Sequence, residues 1–255
     1  MYDPTSGNTD FALVIAMPAH NEASGIASFL TEIQNSFEGL PCKYVVVDDA
    51  SSDGTAGVVG GLVDLDAIVL ENHLNLGHGP STLLALGEAL ATGAPFVIAV
   101  DGDGQFLGVD VRRVYDLIAD GNVDVVEGVR TARGDPLFRR VTSLSTRLLV
   151  ASRCGAVPRD ANTPLRAYRA EVLRELLTYI SPDTLTPNLF VSALVRKKNF
   201  LVLEVDVTSL PRRGVSIESV TWRAQFKVVP SRRFVKFCAD ATFQWVRRSI
   251  GDGRG

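Results

Sequence analysis

The stretch that decides the fold is Phe96-Val97-Ile98-Ala99-Val100-Asp101-Gly102-Asp103-Gly104-Gln105. Its five leading apolar residues predict a strand that is buried on both faces, as in the parallel sheets of α/β proteins. The strand ends in two carboxylates one residue apart. Because side chains alternate along an extended chain, Asp101 and Asp103 point in the same direction. The carboxyl ends of such strands are where open α/β sheets bind their ligands.

Two carboxylates that converge on one point repel each other unless a cation lies between them. Mg²⁺ or Mn²⁺ fits, since both prefer oxygen ligands and commonly share them with substrate phosphates. The glycines allow a phosphate to approach the backbone, and Gln105 adds an amide oxygen, so Asp101, Asp103 and Gln105 are the candidate metal ligands. An ordinary Asp-Gly turn is the alternative. A calcium-binding EF-hand loop is excluded, because its sixth and twelfth positions are Phe106 and Arg112.

The composition sets bounds on size and compartment. The 255 residues suffice for one large α/β domain, or for one domain with an appendage, and a 46% hydrophobic content can fill its core. Three scattered cysteines, Cys42, Cys154 and Cys238, predict neither a disulfide framework nor a zinc site and point to a reducing compartment. No apolar run is long enough to span a bilayer, and no signal peptide pattern precedes Phe11. We therefore expect a cytoplasmic protein.

Charge is distributed unevenly along the chain. Residues 212–255 hold 10 Lys and Arg against 3 Asp and Glu, a balance of +7, whereas residues 1–211 balance at −10. The basic tail interleaves its cations with aromatic residues, which on a helix would suit peripheral contact with an anionic membrane surface. A helix packed on the domain, with its cations reaching out to solvent, explains the pattern equally well. Nucleic acid is not an expected partner, because the rest of the chain is acidic.

Apolar runs and helical periodicity alternate along the chain. The alternation predicts a mostly parallel sheet with right-handed crossovers and helices on both faces. We expect one domain over residues 1–211, with halves at about 11–105 and 106–211, followed by a basic helical tail over 212–255. The predicted strands are Phe11 to Met17, Tyr44 to Val47, Asp66 to Leu70, 96 to 100, Val123 to Glu127 and Phe200 to Val207, and the clearest helices are Ala23 to Phe37, Pro80 to Ala91 and Val109 to Ala119.

Polar groups follow three of these strands. Glu22, Asp49 and the pair Asp101 and Asp103 should converge on one crevice, because the carboxyl ends of parallel strands share one edge of a sheet. The loop Gly77-His78-Gly79 precedes a predicted helix. It is either a tight turn or a helix N-terminus close to a pyrophosphate.

Two basic segments lie further along the chain. The segment from Gly128 to Arg147 predicts a loop whose arginines grip phosphate bidentately, or else a solvated helix face. The segment Pro211-Arg212-Arg213-Gly214-Val215-Ser216 is a glycine-containing loop that could close over a bound phosphate. Both would bring positive charge to an otherwise acidic domain.

Four stretches, in their order and spacing, resemble the family 2 glycosyltransferases of the GT-A (Rossmann-like) fold. The similarity is greatest to the dolichyl- or polyprenyl-phosphate sugar synthases. It covers residues 11 to about 130, and weaker matches continue through Gly128-Val-Arg130, Asp160 to Arg166 and Arg213-Gly-Val-Ser216. The four stretches are Pro18-Ala-His-Asn-Glu22, Val46-Val-Asp-Asp-Ala-Ser-Ser-Asp-Gly-Thr55, Asn75-Leu-Gly-His-Gly79 and Asp101-Gly-Asp-Gly-Gln105.

The resemblance implies a metal-dependent, inverting transfer of a sugar from a nucleotide-diphosphate sugar to an acceptor. It places Mg²⁺ or Mn²⁺ at Asp101, Asp103 and Gln105, where the metal stabilises the departing nucleotide diphosphate. Asp103 thereby counts as catalytic. The implied nucleotide-sugar-binding residues are Pro18, Ala19, His20, Glu22, Asp49, Asp101 and Gly102.

The implied acceptor is a polyprenyl or dolichyl phosphate, whose ionised oxygen needs no strong base. A soluble saccharide or natural-product hydroxyl is the alternative, and Asp160 would then take its proton. The chain has Thr-Pro-Leu-Arg at 163–166, where those synthases usually carry Ser-Gly-Phe-Arg. A nucleotidyltransferase and a non-catalytic nucleotide-binding protein are further alternatives. The implied acceptor-binding residues are Arg130, Arg139, Arg140, Arg166, Arg213 and Ser216.

Overall fold

The computed structural model describes residues 11–131, 137–214 and 232–248, with only the backbone described at 137–143 and 232–235. In this part of the chain, seven strands form one sheet flanked by eight helices. The strands are β1 (Leu13–Ala19), β2 (Cys42–Asp48), β3 (Ala67–Glu71), β4 (Phe96–Ala99), β5 (Val125–Thr131), β6 (Arg166–Arg169) and β7 (Val202–Thr208). The helices are α1 (Ile26–Ser36), α2 (Thr55–Gly60), α3 (His78–Ala91), α4 (Gly108–Asp120), α5 (Leu137–Cys154), α6 (Ala170–Leu177), α7 (Pro187–Lys197) and α8 (Arg232–Arg247).

The sheet has the strand order β3-β2-β1-β4-β6-β5-β7. Strand β6 runs antiparallel to both of its neighbours, and the other neighbouring strands pair in parallel. The predicted mostly parallel sheet is therefore confirmed. The chain builds outward from β1 to β3 and then returns to place β4 on the other side of β1. The order thus reverses between β1 and β4, and such a reversal opens a crevice at the carboxyl ends of the strands.

The core lies on both faces of the sheet. Along β1, Leu13, Ile15 and Met17 pack into the layer formed with α1 and α4, whereas Val14 and Ala16 pack into the layer formed with α3, α6 and α7. This alternation explains why β1 is apolar throughout, since both of its faces are covered by helices. The predicted placement of helices on both faces is confirmed.

Strand β6 was not among the predicted strands. Its sequence, Arg-Ala-Tyr-Arg, does not resemble the apolar runs of the other strands. Ala167 and Tyr168 are nevertheless fully buried, and Ala167 pairs with Ile98 of β4 and with Val126 of β5. Arg166 is also fully buried, so a charged residue stands where the pattern calls for an apolar one.

The predicted basic loop from Gly128 to Arg147 is wrong at both ends, because its first four residues continue strand β5 to Thr131 and its second half is helical. Residues Leu137–Cys154 form the 18-residue helix α5. The segment contains neither glycine nor proline, and the helix ends before Gly155, whose φ of +72° is the left-handed conformation common after a helix. The alternative interpretation of this segment, a helix that carries basic residues, is the one observed.

The basic tail contains the predicted helix, α8, over Arg232–Arg247. Trp245 is 2% exposed and lies 4.9 Å, centroid to centroid, from the Phe190 ring of α7. The last turns of α8 therefore belong to the core, as the interpretation of a packed helix predicts. Phe243 and Val246 are exposed. Among the helices in the described part of the chain, none combines the length and apolar character needed to cross a bilayer.

Candidate active site

The site lies at the carboxyl ends of β1, β2 and β4, where their loops are tied together. The Gly102 amide donates to the Pro18 carbonyl (3.0 Å), and the Asp49 amide donates to the Ala19 carbonyl (2.9 Å). A Cβ on Gly102 would lie 3.1 Å from both the Ala19 Cβ and the Pro18 oxygen, so glycine permits this close approach. Pro18, Ala19 and Gly102 are brought together as predicted, and all three are buried. Their contact with a nucleotide sugar stays a prediction.

The turn after β4 concentrates negative charge. Burial and the neighbouring Asp101 carboxylate raise the pKa of Asp103 to about 6. His78, the first residue of α3, donates from Nε2 to Asp101 Oδ1 (2.8 Å). Burial alone would lower the pKa of His78, but Asp101 raises it above the usual value. A divalent cation would relieve this repulsion, so the carboxylates fit the predicted metal.

The third candidate ligand, Gln105, is tied to a different segment. Its side-chain Nε2 donates to the Leu210 carbonyl (3.1 Å), and its backbone amide donates to Asp103 Oδ1 (3.1 Å). Within the described ranges, no group of three or more His, Cys, Asp and Glu side chains is arranged to hold a metal. Oxygens from a substrate would therefore have to complete the coordination sphere, as is usual for Mg²⁺. The assignment of Gln105 as a ligand stays a prediction.

Asp49 holds the loop that leads into α3. Its Oδ1 accepts hydrogen bonds from the Leu76 amide (2.8 Å) and from Asn72 Nδ2 (3.0 Å), and its Oδ2 accepts one from the Gly77 amide (2.8 Å). Burial raises the pKa of Asp49, but these hydrogen bonds outweigh burial and the pKa lies below the usual value. The structure thus gives Asp49 a positioning role beside its predicted contact with the nucleoside.

We expect Asp49→Asn to lower the free energy of unfolding at pH 7 by about 1–3 kcal/mol, because an amide cannot accept all three hydrogen bonds. The lowered pKa means that the native carboxylate contributes stability above its unfolded pKa of about 3.8, which is lost as the pH falls through the lower folded pKa. Urea titrations at pH 7 and pH 3 would measure the difference between wild type and variant, which should shrink in acid. Equal stability at pH 7 would contradict the positioning role.

Glu22 is buried and is paired with an arginine from the far end of the chain. Arg212 donates from Nε to Glu22 Oε2 (2.9 Å), its second nitrogen lies 2.7 Å from Oε1, and it also donates to the carbonyls of Asn21 (2.7 Å) and His20 (3.2 Å). Burial raises the pKa of Glu22, and Asp103 adds to the effect, while Arg212 opposes it. His20 Nδ1 bonds to the Asp49 carbonyl (2.8 Å). The predicted nucleoside contacts of His20 and Glu22 stay predictions.

Arg213 lies beneath the turn after β4 rather than facing the crevice. Its backbone amide donates to the Asp103 carbonyl (3.0 Å), its Nε donates to the Gly104 carbonyl (3.1 Å), and its guanidinium pairs with Glu32 of α1. A Cβ on Gly104, which has a φ of +68°, would lie 2.5 Å from Arg213 Cδ. These contacts place Arg213 as a support of the turn, which does not agree with its predicted contact with the acceptor. Ser216 lies outside the described residues.

Two residues predicted on the acceptor side meet each other. Arg130 donates from Nε to Asp160 Oδ2 (2.8 Å) and from a terminal nitrogen to Oδ1 (3.0 Å), and it also reaches the Asn162 carbonyl (3.3 Å). Both oxygens of Asp160 therefore accept hydrogen bonds from Arg130. The side chains of Arg139 and Arg140, on α5, lie outside the described residues.

The structure does not place Arg166 where an acceptor could reach it, so its predicted acceptor contact has no support in the structure. Arg166 is 0% exposed on β6, with one terminal nitrogen donating to the Asn188 carbonyl (2.9 Å) and the other to the Ala161 carbonyl (3.1 Å). It lies 3.4 Å from the buried carboxylate of Glu127, which Arg196 also contacts at 2.7 Å. Arg166 is thus part of a buried ionic cluster and has no surface on which an acceptor could bind.

Residues 14–177 match the family model described as glycosyl transferase family 2. The chain belongs to this family. The resemblance to family 2 glycosyltransferases inferred from the sequence is confirmed.

Relatives of this chain include transferases that are named for undecaprenyl phosphate. An undecaprenyl-phosphate 4-deoxy-4-formamido-L-arabinose transferase from Pectobacterium carotovorum subsp. carotovorum is 27% identical over 201 residues, covering 78% of this chain and 59% of the relative. The chain thus spans about three fifths of the length of that transferase. An uncharacterized protein from Methanocaldococcus jannaschii is 24% identical over 235 residues, covering 88% of this chain and 98% of the relative.

Among solved structures, the glycosyltransferase resembles glucosyl-3-phosphoglycerate synthase from Mycobacterium tuberculosis. The complex of that enzyme with Mn²⁺, UDP-glucose and phosphoglyceric acid has a TM-score of 0.61 at 18% identity, covering 95% of this chain and 82% of the synthase. The complex with Mn²⁺, UDP and glucosyl-3-phosphoglycerate has a TM-score of 0.60 and covers 90% and 81%. At this identity the likeness shows a shared GT-A fold, which confirms the predicted fold class.

Three residues of the site were not predicted individually. His78 contacts Asp101, Glu32 holds Arg213, and Arg212 holds Glu22. The segment 211–216 was recognised as a basic loop, but the pattern does not say which of two adjacent arginines turns toward the crevice. Glu32 is not among the buried apolar residues of α1, and a carboxylate outside the apolar stripe of a helix normally indicates only solvent exposure.

Proposed function

We propose that this glycosyltransferase transfers a sugar, with inversion at the anomeric centre, from a nucleoside-diphosphate sugar to a polyprenyl phosphate with the help of Mg²⁺ or Mn²⁺. The observation that carries the proposal is the pair Asp101 and Asp103, whose mutual repulsion at the end of β4 calls for a cation. The Mn²⁺ and UDP-glucose bound by the structural neighbour support the donor class. The undecaprenyl phosphate named for the relative supports the acceptor class.

On the donor side, Asp101 and Asp103 would hold the cation, with Gln105 adjacent. A bound cation supplies Lewis-acid stabilisation of the leaving nucleoside diphosphate. The loops after β1 and β2 would surround the nucleoside, with the segment Pro18 to Glu22 on one side and Asp49 on the other. Because Asp49 fixes the loop at Leu76 and Gly77, it also fixes where α3 begins.

On the acceptor side, the Arg130–Asp160 pair favours a phosphate over a hydroxyl. A hydroxyl acceptor needs a base, whereas the guanidinium of Arg130, hydrogen-bonded to both oxygens of Asp160, brings a cation that suits an anionic acceptor. A lipid phosphate is already ionised at neutral pH and needs no base. Arg130 would bind that phosphate, and Asp160 would orient the guanidinium.

The tail helix supports access to a lipid acceptor. Phe243 and Val246 are exposed on α8, close along the helix to the exposed cations Lys236 and Arg247. An apolar surface edged by cations suits the headgroup region of an anionic membrane, where each Lys or Arg contributes about 1 kcal/mol. Peripheral contact with a membrane is therefore part of the proposal.

The test is transfer in anionic vesicles that contain a polyprenyl phosphate. The protein is incubated with Mn²⁺ and a panel of labelled nucleoside-diphosphate sugars, and the label is followed into the organic extract. We expect a metal-dependent, lipid-linked product from at least one donor. Asp160→Asn should impair this transfer only modestly, since it removes one charge that orients Arg130 and not an essential base. The protein should sediment with the vesicles at low salt and be released at high salt, because salt screens surface attraction.

Three results would count against parts of this function. Transfer only to soluble hydroxyl acceptors, abolished by Asp160→Asn, would establish Asp160 as a base and a hydroxyl as the acceptor. Failure to bind or hydrolyse any nucleoside-diphosphate sugar with Mn²⁺ or Mg²⁺ would contradict the donor class itself. Full activity in excess chelator would contradict the role of the metal.

A further inference from the structure

Arg212 bridges the gap between the turn after β4 and the loop after β1, which both border the candidate donor site. Its backbone belongs to a segment tied to the turn after β4, because the Leu210 amide donates to the Gln105 carbonyl (2.8 Å) and the Arg213 amide donates to the Asp103 carbonyl (3.0 Å). Its guanidinium, in contrast, lies on Glu22 in the loop after β1. A diphosphate that joins a nucleoside at β1 and β2 to a metal at β4 has to cross this same gap.

We propose that Arg212 binds the diphosphate of the donor, and that its ion pair with Glu22 is the arrangement it holds when no donor is bound. This inference rests on the proposed function, since it assigns a residue to the donor class proposed above. The side chain of Arg212 is 42% exposed, whereas that of Glu22 is 9% exposed, so the arginine is the partner with room to move.

The guanidinium of Arg212 can bind either of the two anions, the Glu22 carboxylate or a diphosphate. A guanidinium presents a planar fork of donors that matches a carboxylate and a phosphate alike, and both can be bound bidentately. Arg212 could therefore exchange one bidentate anion for another, at the cost of leaving the buried Glu22 carboxylate without its partner. Arg213 cannot take this role in the same way, because its guanidinium is held beneath the turn by Glu32 and the Gly104 carbonyl.

The proposal predicts opposite effects for the two partners. Arg212→Gln removes the fork and should weaken binding of a diphosphate by roughly 10- to 100-fold, the usual range for hydrogen bonds to a charged group. Glu22→Gln removes the anion that competes for Arg212 and should tighten diphosphate binding by roughly 3-fold, as expected for a partly exposed ion pair. A purely structural ion pair would give losses, or no change, in both variants.

The probe is inorganic pyrophosphate in excess Mg²⁺, measured by isothermal titration calorimetry, because it carries the diphosphate without any nucleoside that Glu22 could also contact. Arg212→Lys, which keeps the charge but loses the fork, should bind with intermediate affinity. Arg113→Gln, which removes an exposed arginine on α4, is the control for net charge and should bind as the wild type does. Thermal unfolding of each variant would establish that it is folded.

Opposite shifts in Arg212→Gln and Glu22→Gln would support the inference. If the wild type binds Mg²⁺-pyrophosphate or UDP and Arg212→Gln binds equally well, the inference is overturned while the proposed function stands. Weaker pyrophosphate binding by folded Glu22→Gln would also overturn it, because Glu22 would then assist the diphosphate rather than compete with it. If the wild type binds neither pyrophosphate nor any nucleoside diphosphate in Mg²⁺ or Mn²⁺, the proposed function fails as well.

Discussion

Asp103→Asn should abolish metal-dependent sugar transfer and, at the same time, stabilise the metal-free protein at neutral pH. Activity should fall by roughly 10²- to 10³-fold, the usual loss when one electrostatic contact to the transition state is removed. The gain in stability follows from the pKa of about 6 that burial and Asp101 impose on Asp103. Above that pH the Asp103 carboxylate is ionised in both states, and its charge has a higher free energy in the folded protein than in the unfolded chain.

The direction of the pH effect follows from the raised pKa. The folded state binds the Asp103 proton more tightly than the unfolded state does. This residue therefore makes the wild type more stable as the pH falls from about 6 toward 3.8, the ordinary pKa of an aspartate. Asparagine removes this dependence. We expect a gain of about 1–2 kcal/mol at pH 7.5, less than the full shift implies because solvent screens a partly exposed group. At pH values below about 6, the metal affinity of the wild type should decrease, because protons compete with the cation for the carboxylates.

The measurements are urea unfolding at pH 7.5 and pH 5, Mn²⁺ binding by titration, and transfer activity. Asp116→Asn is the matched control, because Asp116 is an exposed carboxylate on α4 that pairs with Arg112 away from the site. That variant should keep metal binding and activity. Asp103→Asn with unchanged Mn²⁺ affinity, or with lower stability at pH 7.5, would contradict the role assigned to the pair.

The donor half of the site could be predicted from the sequence because it rests on local rules. A run of apolar residues predicts a buried strand, parallel strands share one carboxyl edge, and an acid after such a strand must lie at that edge. Asp49 and the pair Asp101 and Asp103 are therefore placed as expected, at the ends of β2 and β4. The close approach of Gly102 to Pro18 and Ala19 follows from the same geometry.

The contacts of the basic residues could not be predicted in the same way, since they depend on tertiary packing. Whether an arginine meets a phosphate, a carboxylate or a carbonyl is decided by segments far away in the chain. Arg212 meets Glu22 across 190 residues, and Arg213 meets Glu32 across 181. The two arginines are adjacent in the chain, yet Arg212 pairs with Glu22 and Arg213 with Glu32.

Arg166 shows how burial reverses a functional interpretation. A basic residue in a motif shared with lipid-phosphate synthases suggests contact with phosphate, but β6 carries it between β4 and β5 into the core. Its register partner on β5 is Glu127, which is also fully buried. A buried charge is retained only with compensating partners. Arg166 has them in Glu127 and in the carbonyls of Asn188 and Ala161.

Arg166→Met should therefore lower the free energy of unfolding by about 3–5 kcal/mol, the usual cost of removing one partner of a buried ionic cluster. Methionine fills much of the volume, but it leaves the Asn188 and Ala161 carbonyls without their donors and Glu127 with Arg196 alone. Urea unfolding would measure the loss. If the double variant Glu127→Gln with Arg166→Met recovers part of it, the two residues are coupled.

The matched control is Arg169→Met, on the same strand. Arg169 donates to the carbonyls of Val123 (2.9 Å) and Gly121 (2.8 Å) and has no carboxylate partner in the described structure, so its loss should cost only about 1–2 kcal/mol. A direct acceptor contact at Arg166 gives a different signature. Stability would be retained and the KM for the acceptor would rise, because the substitution would remove a contact that forms only when the acceptor binds. Near-wild-type stability in Arg166→Met would therefore overturn the assignment of this residue to the core. A large loss of stability would show that β6 turns this arginine inward, where it helps to join β4 to β5.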